Sequence, residues 1–154
     1  MPTYTAPLRD YDFLLREVLK IDRFSNLPRF SEAPPDLVAQ ILQEGAKFCE
    51  GVLAPLNVVG DREGCIRAAD GSVTTPTGFK EAYKQHVEAG WPSLGCDPEF
   101  GGQGLPGVVN LAFAEMTSSA NMAFGMYPGL SHGAYNALLH HGSDELKQRY
   151  LPKL

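Results

Sequence analysis

The sequence has few cysteines and no excess of positive charge. Thirteen Lys and Arg residues stand against 18 Asp and Glu residues, which gives a formal net charge of −5. A nucleic-acid-binding surface needs clustered positive charge, so this class of protein is not expected. The three cysteines, Cys49, Cys65 and Cys96, lie far apart and are odd in number. Neither a disulfide framework nor a zinc site fits that spacing, and we expect reduced thiols in a cytoplasmic protein.

Long apolar runs are also absent. No stretch reaches the about 20 apolar residues that cross a membrane, and the N-terminal MPTYTAPLRDYDF has no apolar segment typical of a secretory signal. Hydrophobic residues nevertheless make up 44% of the 154 residues. This composition predicts a globular domain with its own core.

Apolar spacing predicts about five or six helices, and therefore an all-α bundle of antiparallel neighbours. An early helix begins at Asp10 and carries Phe13, Leu14 and Val18 on one face. A second helix follows Pro34 and is ended or kinked at Pro55.

The middle of the chain predicts a hairpin and then another helix. Asp70-Gly71 between two short segments indicates a small β-hairpin near residues 65–75. The helix that follows has Phe79, Tyr83 and Val87 as its apolar line.

The C-terminal third is strongly apolar. We expect two buried helices over about 108–120 and 130–141, separated by a break in NMAFGMYPG. A last helix is capped by Ser143.

The segment FGGQGLPG contains the G-x-G-x-x-G spacing from Gly102 to Gly107. This spacing is typical of dinucleotide-binding folds, but there a hydrophobic strand precedes the first glycine and an acid follows about 20 residues later. GCDPEF precedes the motif, and no acid occurs between Glu115 and Asp144. We therefore interpret the segment as a loop between helices and reject the nicotinamide-binding alternative.

No complete catalytic or metal-binding set is evident. Glu115 is interpreted as a buried acid paired with Arg or backbone, although an acid or base with a raised pKa stays open. His140 and His141 do not share a helix face, so no metal site is predicted. His132 and Tyr135 either line a pocket or pack in the core.

Read as one string, GWPSLGCDPEFGGQGLP resembles the signature loop between two helices in the N-terminal domain of acyl-CoA dehydrogenases. The following helix with its central Glu and the ending HHGSDELKQRYLPKL are similar to the same family. PTYTAPLRDYDFLLREVL and DGSVTTPTGFKEAY resemble a larger-subunit branch that includes 3-methylmercaptopropionyl-CoA and long-chain acyl-CoA dehydrogenase relatives. The resemblance implies an arm and short helix over residues 1–34 and the family's N-terminal helical domain over 35–154.

The resemblance also implies chemistry. Family members use FAD and a glutamate base to oxidise the α,β-bond of acyl-CoA thioesters, and they pass electrons to an acceptor. No residue here matches that base. We expect a truncated domain, inactive alone, that does not bind FAD tightly and self-associates through exposed apolar faces. By the resemblance, the acyl pocket is lined by the following six residues: Met126, Tyr127, Leu130, Ser131, His132 and Tyr135. The alternative is a non-enzymatic helical interaction domain.

Overall fold

A computed structural model describes residues 3–154 and confirms the all-α bundle with one small antiparallel hairpin. Shorter 3-10 turns connect several of the helices. The elements are α1 Leu8–Phe13, α2 Pro28–Ser31, α3 Pro35–Phe48, α4 Ala54–Glu63, β1 Ile66–Arg67, β2 Val73–Thr74, α5 Phe79–Glu88, α6 Gly107–Ala120, α7 Met122–His141 and α8 Asp144–Tyr150. Within residues 3–154, no helix is both long enough and apolar enough to cross a membrane.

The hairpin forms as the Asp70-Gly71 turn predicts. Ile66 pairs with Thr74, and Gly71 has a left-handed φ of 86°. The Asp70 carboxylate accepts hydrogen bonds from both the backbone N–H and the hydroxyl of Ser72. The turn is therefore held by its own side chains, and both strands are exposed.

Pro55 does not end the second helix, although an end here is one of the two predicted outcomes. α3 passes through a π-type segment, Cys49–Leu53, directly into α4. The N–H of Ala54 bonds to the carbonyl of Cys49, five residues back, and Pro55 lies in the first turn of α4. One wider turn thus lets the chain continue past a residue that has no N–H to donate.

The core lies where α3 and its π-type segment meet α6. Cys49, Leu53, Val109 and Met116 are completely buried there. Gly45 permits the close approach, since a Cβ atom at this position would lie 2.8 Å from Cδ2 of Phe113. The two helices therefore form the scaffold on which the remaining elements pack.

The N-terminal helix packs with a different face from the one predicted. It begins at Leu8, and it buries Tyr11 and Leu15 against the core rather than Phe13, Leu14 and Val18. A π-type turn at Leu14–Val18 extends α1. Tyr11 and Leu15, four residues apart, form the docking pair, and their spacing places them on one side of the helix.

The predicted break at residues 121–129 is limited to Asn121. This residue caps α7 by accepting a hydrogen bond from the N–H of Phe124, and its amide donates to the carbonyl of Leu53. α7 then continues through Pro128, which forgoes one backbone hydrogen bond. At the other end, Ser143 caps α8 as predicted.

Candidate functional site

α7 presents two different sides, and the predicted site residues divide between them. The inner side of α7 comprises Gly125, Pro128, Gly129, Ser131, His132 and Tyr135, which line a cavity against α6 and the end of α5. The outer side of α7 is exposed and comprises Met122, Met126, Tyr127, Leu130 and Gly133.

The cavity has a volume of about 140 Å³. α6 contributes Asn110, Phe113, Thr117 and Ser118 to its lining, and α5 contributes His86. Most of the polar lining groups are uncharged amides and hydroxyls. No Asp, Glu, Lys or Arg side chain lines it.

His86 is the most enclosed polar group of this lining. Only 3% of its surface is exposed, and neither ring nitrogen has a hydrogen-bond partner among residues 3–154. Its ring stacks on Phe113 at 6.0 Å and meets the edge of Phe124 at 5.6 Å. Burial lowers the pKa of His86 to about 4, so the imidazole is neutral near pH 7.

His86 is not among the predicted site residues, because the apolar line predicted for α5 follows a different side of the helix. The predicted line was Phe79, Tyr83 and Val87, but Val87 is 48% exposed. The side that packs is Phe79, Ala82, Tyr83 and His86. A spacing of three, four and seven residues, the usual pattern of a docked helix, was the signal that places His86 inward.

Tyr135 joins the inner side of α7 to the glycine-rich loop, residues 90–106, which contains most of the FGGQGLPG segment. Its hydroxyl oxygen accepts a hydrogen bond of 2.7 Å from the backbone N–H of Asp97. Arg29 donates to the carbonyl of Gly95 at 2.7 Å and lies 3.9 Å from the Asp97 carboxylate. Burial raises the pKa of Tyr135, which therefore stays a neutral phenol at physiological pH. The N-terminal segment, the loop and α7 are thus joined at one place.

The glycine-rich loop is a folded connection between helices and not a phosphate cradle. It contains the 3-10 turn Pro98–Phe100, and the described residues hold strands only at 66–67 and 73–74. A Cβ atom at Gly102 would lie 2.2 Å from the carbonyl carbon and oxygen of Cys96, and one at Gly104 would lie 2.8 Å from Pro98. The glycines permit close packing of the loop on itself, which confirms the interpretation of the segment as a loop between helices.

Glu115 is exposed, so its interpretation as a buried, paired acid is wrong. α6 buries Ala112, Phe113, Met116 and Thr117, which places Glu115 outside the packed side. An apolar helix with a single charge leaves that charge in water whenever one side of the helix is free.

The outer side of α7 is apolar and open. Met126, Tyr127 and Leu130 are 68%, 65% and 79% exposed. Tyr127 rests its ring on the edge of Tyr83 at 5.1 Å. Cβ atoms at Gly129 and Gly133 would meet nothing within 4 Å, so no contact in residues 3–154 requires glycine at these helical positions.

The histidines and cysteines considered as metal ligands or disulfide partners lie outside the two sides of α7 or are far apart. Among the described residues, no group of three or more His, Cys, Asp or Glu side chains is arranged to hold a metal ion. Cys49 and Cys96 are buried, Cys65 is exposed, and all three are unpaired thiols. His140 and His141 are both exposed near the end of α7.

Comparison with known proteins adds a family match. The model of the acyl-CoA dehydrogenase N-terminal domain matches residues 38–154. The chain is 43% identical over 152 residues to 3-methylmercaptopropionyl-CoA dehydrogenase of Ruegeria pomeroyi, covering 99% of this chain and 26% of that protein. It is 34% identical over 149 residues to the broad-specificity linear acyl-CoA dehydrogenase FadE5 of Mycobacterium tuberculosis, covering 96% and 24%.

A third relative extends the pattern. A butyryl-CoA dehydrogenase of Syntrophomonas wolfei is 32% identical over 154 residues, covering 98% of this chain and 25% of that protein. The chain thus spans about a quarter of the length of the relatives it matches. These matches include residues before 38, where the family match begins.

Proposed function

The chain belongs to the acyl-CoA dehydrogenase family as its N-terminal domain, and we propose that in a complete protein it forms one wall of an acyl-binding cavity. The complete protein would oxidise the α,β-bond of acyl-CoA thioesters. The observation that carries the proposal is the outer side of α7, where Gly133 lies on the same side of the helix as the exposed Met126 and Leu130.

Glycine in a helix interior destabilises the helix by about 1 kcal/mol relative to alanine. At two other helical positions close contacts account for glycine, at Gly45 beside Phe113 and at Gly60 beside Phe79, whereas Gly51 also has open space around its Cβ position. On the outer side of α7 no internal contact does so. A surface that is apolar and free of Cβ atoms suits close approach by an aliphatic chain, and flexible methionine side chains adapt to its shape.

The six predicted pocket residues have different parts in this proposal. Met126, Tyr127 and Leu130 contact the acyl chain directly from the outer side. Ser131, His132 and Tyr135 support the helix from the inner side and set its position against the loop.

The family is FAD-dependent, but the glycine-rich loop does not fit a flavin phosphate. Cys96 and Pro98 occupy the space beside Gly102 and Gly104, so a phosphate group cannot lie against these glycines. Among residues 3–154, no acidic side chain that could act as a base lines the cavity. We therefore assign neither the flavin contacts nor the catalytic base to these residues. The 154-residue chain is expected to be inactive alone and to bind FAD weakly.

A chimera tests the acyl-wall proposal. The 154 residues would replace the matching 152-residue segment of the Ruegeria pomeroyi relative, and flavin content and acyl-CoA oxidation would be measured. We expect an active flavoprotein. Gly133→Leu in the chimera should raise KM for long acyl chains at least tenfold and leave flavin content unchanged.

Gly51→Leu is the matched control, because Gly51 also has nothing within 4 Å of its Cβ position and lies outside α7. An acyl-chain profile unaltered by Gly133→Leu, in a chimera that holds flavin, contradicts the acyl-wall role. Tight FAD binding and turnover by the isolated 154 residues contradict the expected inactivity.

The second candidate is a non-enzymatic interaction domain, which the same exposed apolar side favours. Both functions predict self-association of the isolated chain, because the outer side has no cover among the described residues. Light scattering at high concentration measures this, and a strictly monomeric chain contradicts it. A chimera that takes up flavin and oxidises acyl-CoA decides for the enzyme.

A further inference from the structure

Packing alone does not explain a histidine at position 86. It sits among Phe48, Phe113 and Phe124, where a phenylalanine would make the same ring contacts. Burying an imidazole without hydrogen-bond partners destabilises a fold relative to an apolar ring. Neither ring nitrogen has a partner among residues 3–154, and the ring lines the cavity.

The cavity is large enough to hold more than water. Its volume of about 140 Å³ is close to that of a protein cavity of roughly 150 Å³ known to admit benzene, a molecule of about six heavy atoms. The aromatic rings of Trp91 and Phe113, stacked at 4.4 Å, form part of its lining. Ser118, Ser131 and Asn110 add hydroxyl and amide groups. The lining therefore combines apolar surface with uncharged polar groups.

We propose that this cavity is a binding site for a small uncharged polar group, such as a primary amide or an alcohol, with His86 as its hydrogen-bonding anchor. A neutral imidazole offers one N–H donor and one nitrogen acceptor, which a single amide or hydroxyl group can satisfy. The site does not depend on the proposed dehydrogenase function, because it requires only residues of this chain.

The ligand is uncharged for a physical reason. No Asp, Glu, Lys or Arg side chain lines the cavity, and the imidazole stays neutral because its burial lowers its pKa to about 4. A carboxylate or ammonium group would lose part of its hydration there, and among the described lining residues only the His132 imidazole, besides that of His86, is a basic side chain that could compensate a negative charge. An amide exchanges its hydrogen bonds with water for bonds to His86, and its alkyl part contacts the aromatic rings.

Three probes of the same size test the site on the 154-residue chain. Butyramide is the uncharged polar probe, butyrate its charged counterpart and 2-methylpentane its apolar counterpart. Binding is followed by NMR titration, together with the nitrogen chemical shifts of the His86 ring. We expect butyramide to bind at least tenfold more tightly than butyrate and to shift both ring nitrogens.

Two variants separate the anchor from the cavity. His86→Phe keeps an aromatic ring, so it should retain 2-methylpentane and lose butyramide affinity at least tenfold. His140→Phe, at an exposed histidine outside the cavity, should bind butyramide like the parent chain. If His86→Phe does not fold, the nitrogen shifts of the parent chain still decide. Equal binding of butyramide and 2-methylpentane, or unchanged His86 shifts at saturation, overturns the proposal.

The polar group has two sources, a free small molecule or the end of an acyl chain. The pantetheine thioester of 4-carbamoylbutanoic acid distinguishes them, because it carries the same amide at the end of an acyl group. If it shifts the His86 nitrogens as butyramide does, the site accepts an acyl end. If only butyramide does so, the site serves free molecules. Failure of both amides contradicts the site, while failure of the chimera alone contradicts only the dehydrogenase proposal.

Discussion

The two sides of α7 differ in how fully this chain accounts for their residues. On the inner side, Gly125 lies against Ser118, whose backbone Cα would be 3.3 Å from an added Cβ, and Tyr135 bonds to Asp97. On the outer side, a Cβ atom added at Gly133 would have no neighbour within 4 Å, and Leu130 is 79% exposed. The same helix thus contains glycines explained by internal packing and glycines that the described residues leave unexplained. Of these, Gly133 lies on the side that we assign to function.

The largest expected loss of stability is in the glycine-rich loop, which Tyr135 joins to the inner side of α7. Gly102→Ala would place a Cβ atom 2.2 Å from the Cys96 carbonyl group, which is backbone and cannot rotate away. We expect a loss of about 3 kcal/mol or more in the free energy of unfolding, measured by urea denaturation.

Gly107→Ala is the matched control in the same segment, because Gly107 has open space around its Cβ position at the start of α6. It should change stability by less than about 1 kcal/mol. Equal effects of the two substitutions would mean that the loop is not packed as described.

The next effect concerns His86 and pH. The pKa of His86 is about 4 in the folded chain and 6.5 in its ordinary state. Between these values the unfolded chain binds a proton that the folded chain excludes, so stability falls as pH falls from 6.5 to 4 and is constant in this term above 6.5. The loss amounts to about 3 kcal/mol.

Urea denaturation of the parent chain and of His86→Phe at pH 7, 5.5 and about 4 isolates this contribution. Carboxylate protonation affects both proteins alike, so the difference between them reports His86. If the two proteins lose stability in parallel, His86 is not buried as a neutral ring.

The sequence predicted the elements that depend on local chemistry. Asp70-Gly71 specified its hairpin and Ser143 its helix cap, because turn and cap residues act on their own backbone. The sequence also indicates that the glycine-rich loop connects helices, because the residues around it lack the strand pattern and the acid that a dinucleotide site requires.

The predictions that failed depend on tertiary contacts. Proline predicts a helix end or kink at Pro55 and a break around Pro128, but a π-type segment precedes Pro55 and α7 continues through Pro128. Glu115 is predicted on the wrong side and His86 is not predicted at all, because the sequence of a helix does not reveal which of its sides has a neighbour. Only the packing of α5 and α6 determines that His86 is buried and Glu115 is exposed.

The smallest effect, and the one that separates the two sides most directly, is on the glycines of α7. Gly129→Ala and Gly133→Ala add a methyl group to open space and remove backbone freedom from the unfolded chain, so each should stabilise the isolated domain by about 0.5–1 kcal/mol. Gly125→Ala makes the same change on the inner side, where the added Cβ would lie 3.1 Å from the Ser118 hydroxyl and 3.3 Å from its Cα. Because that backbone cannot yield freely, this variant should destabilise the domain by about 1 kcal/mol.

Thermal or urea denaturation of the three variants gives the signs directly. Opposite signs at Gly133 and Gly125 mean that stability within this domain does not require glycine at position 133, and close approach from outside then accounts for it. A loss of stability at Gly133 would instead return that residue to a structural role and remove the main support for the acyl wall.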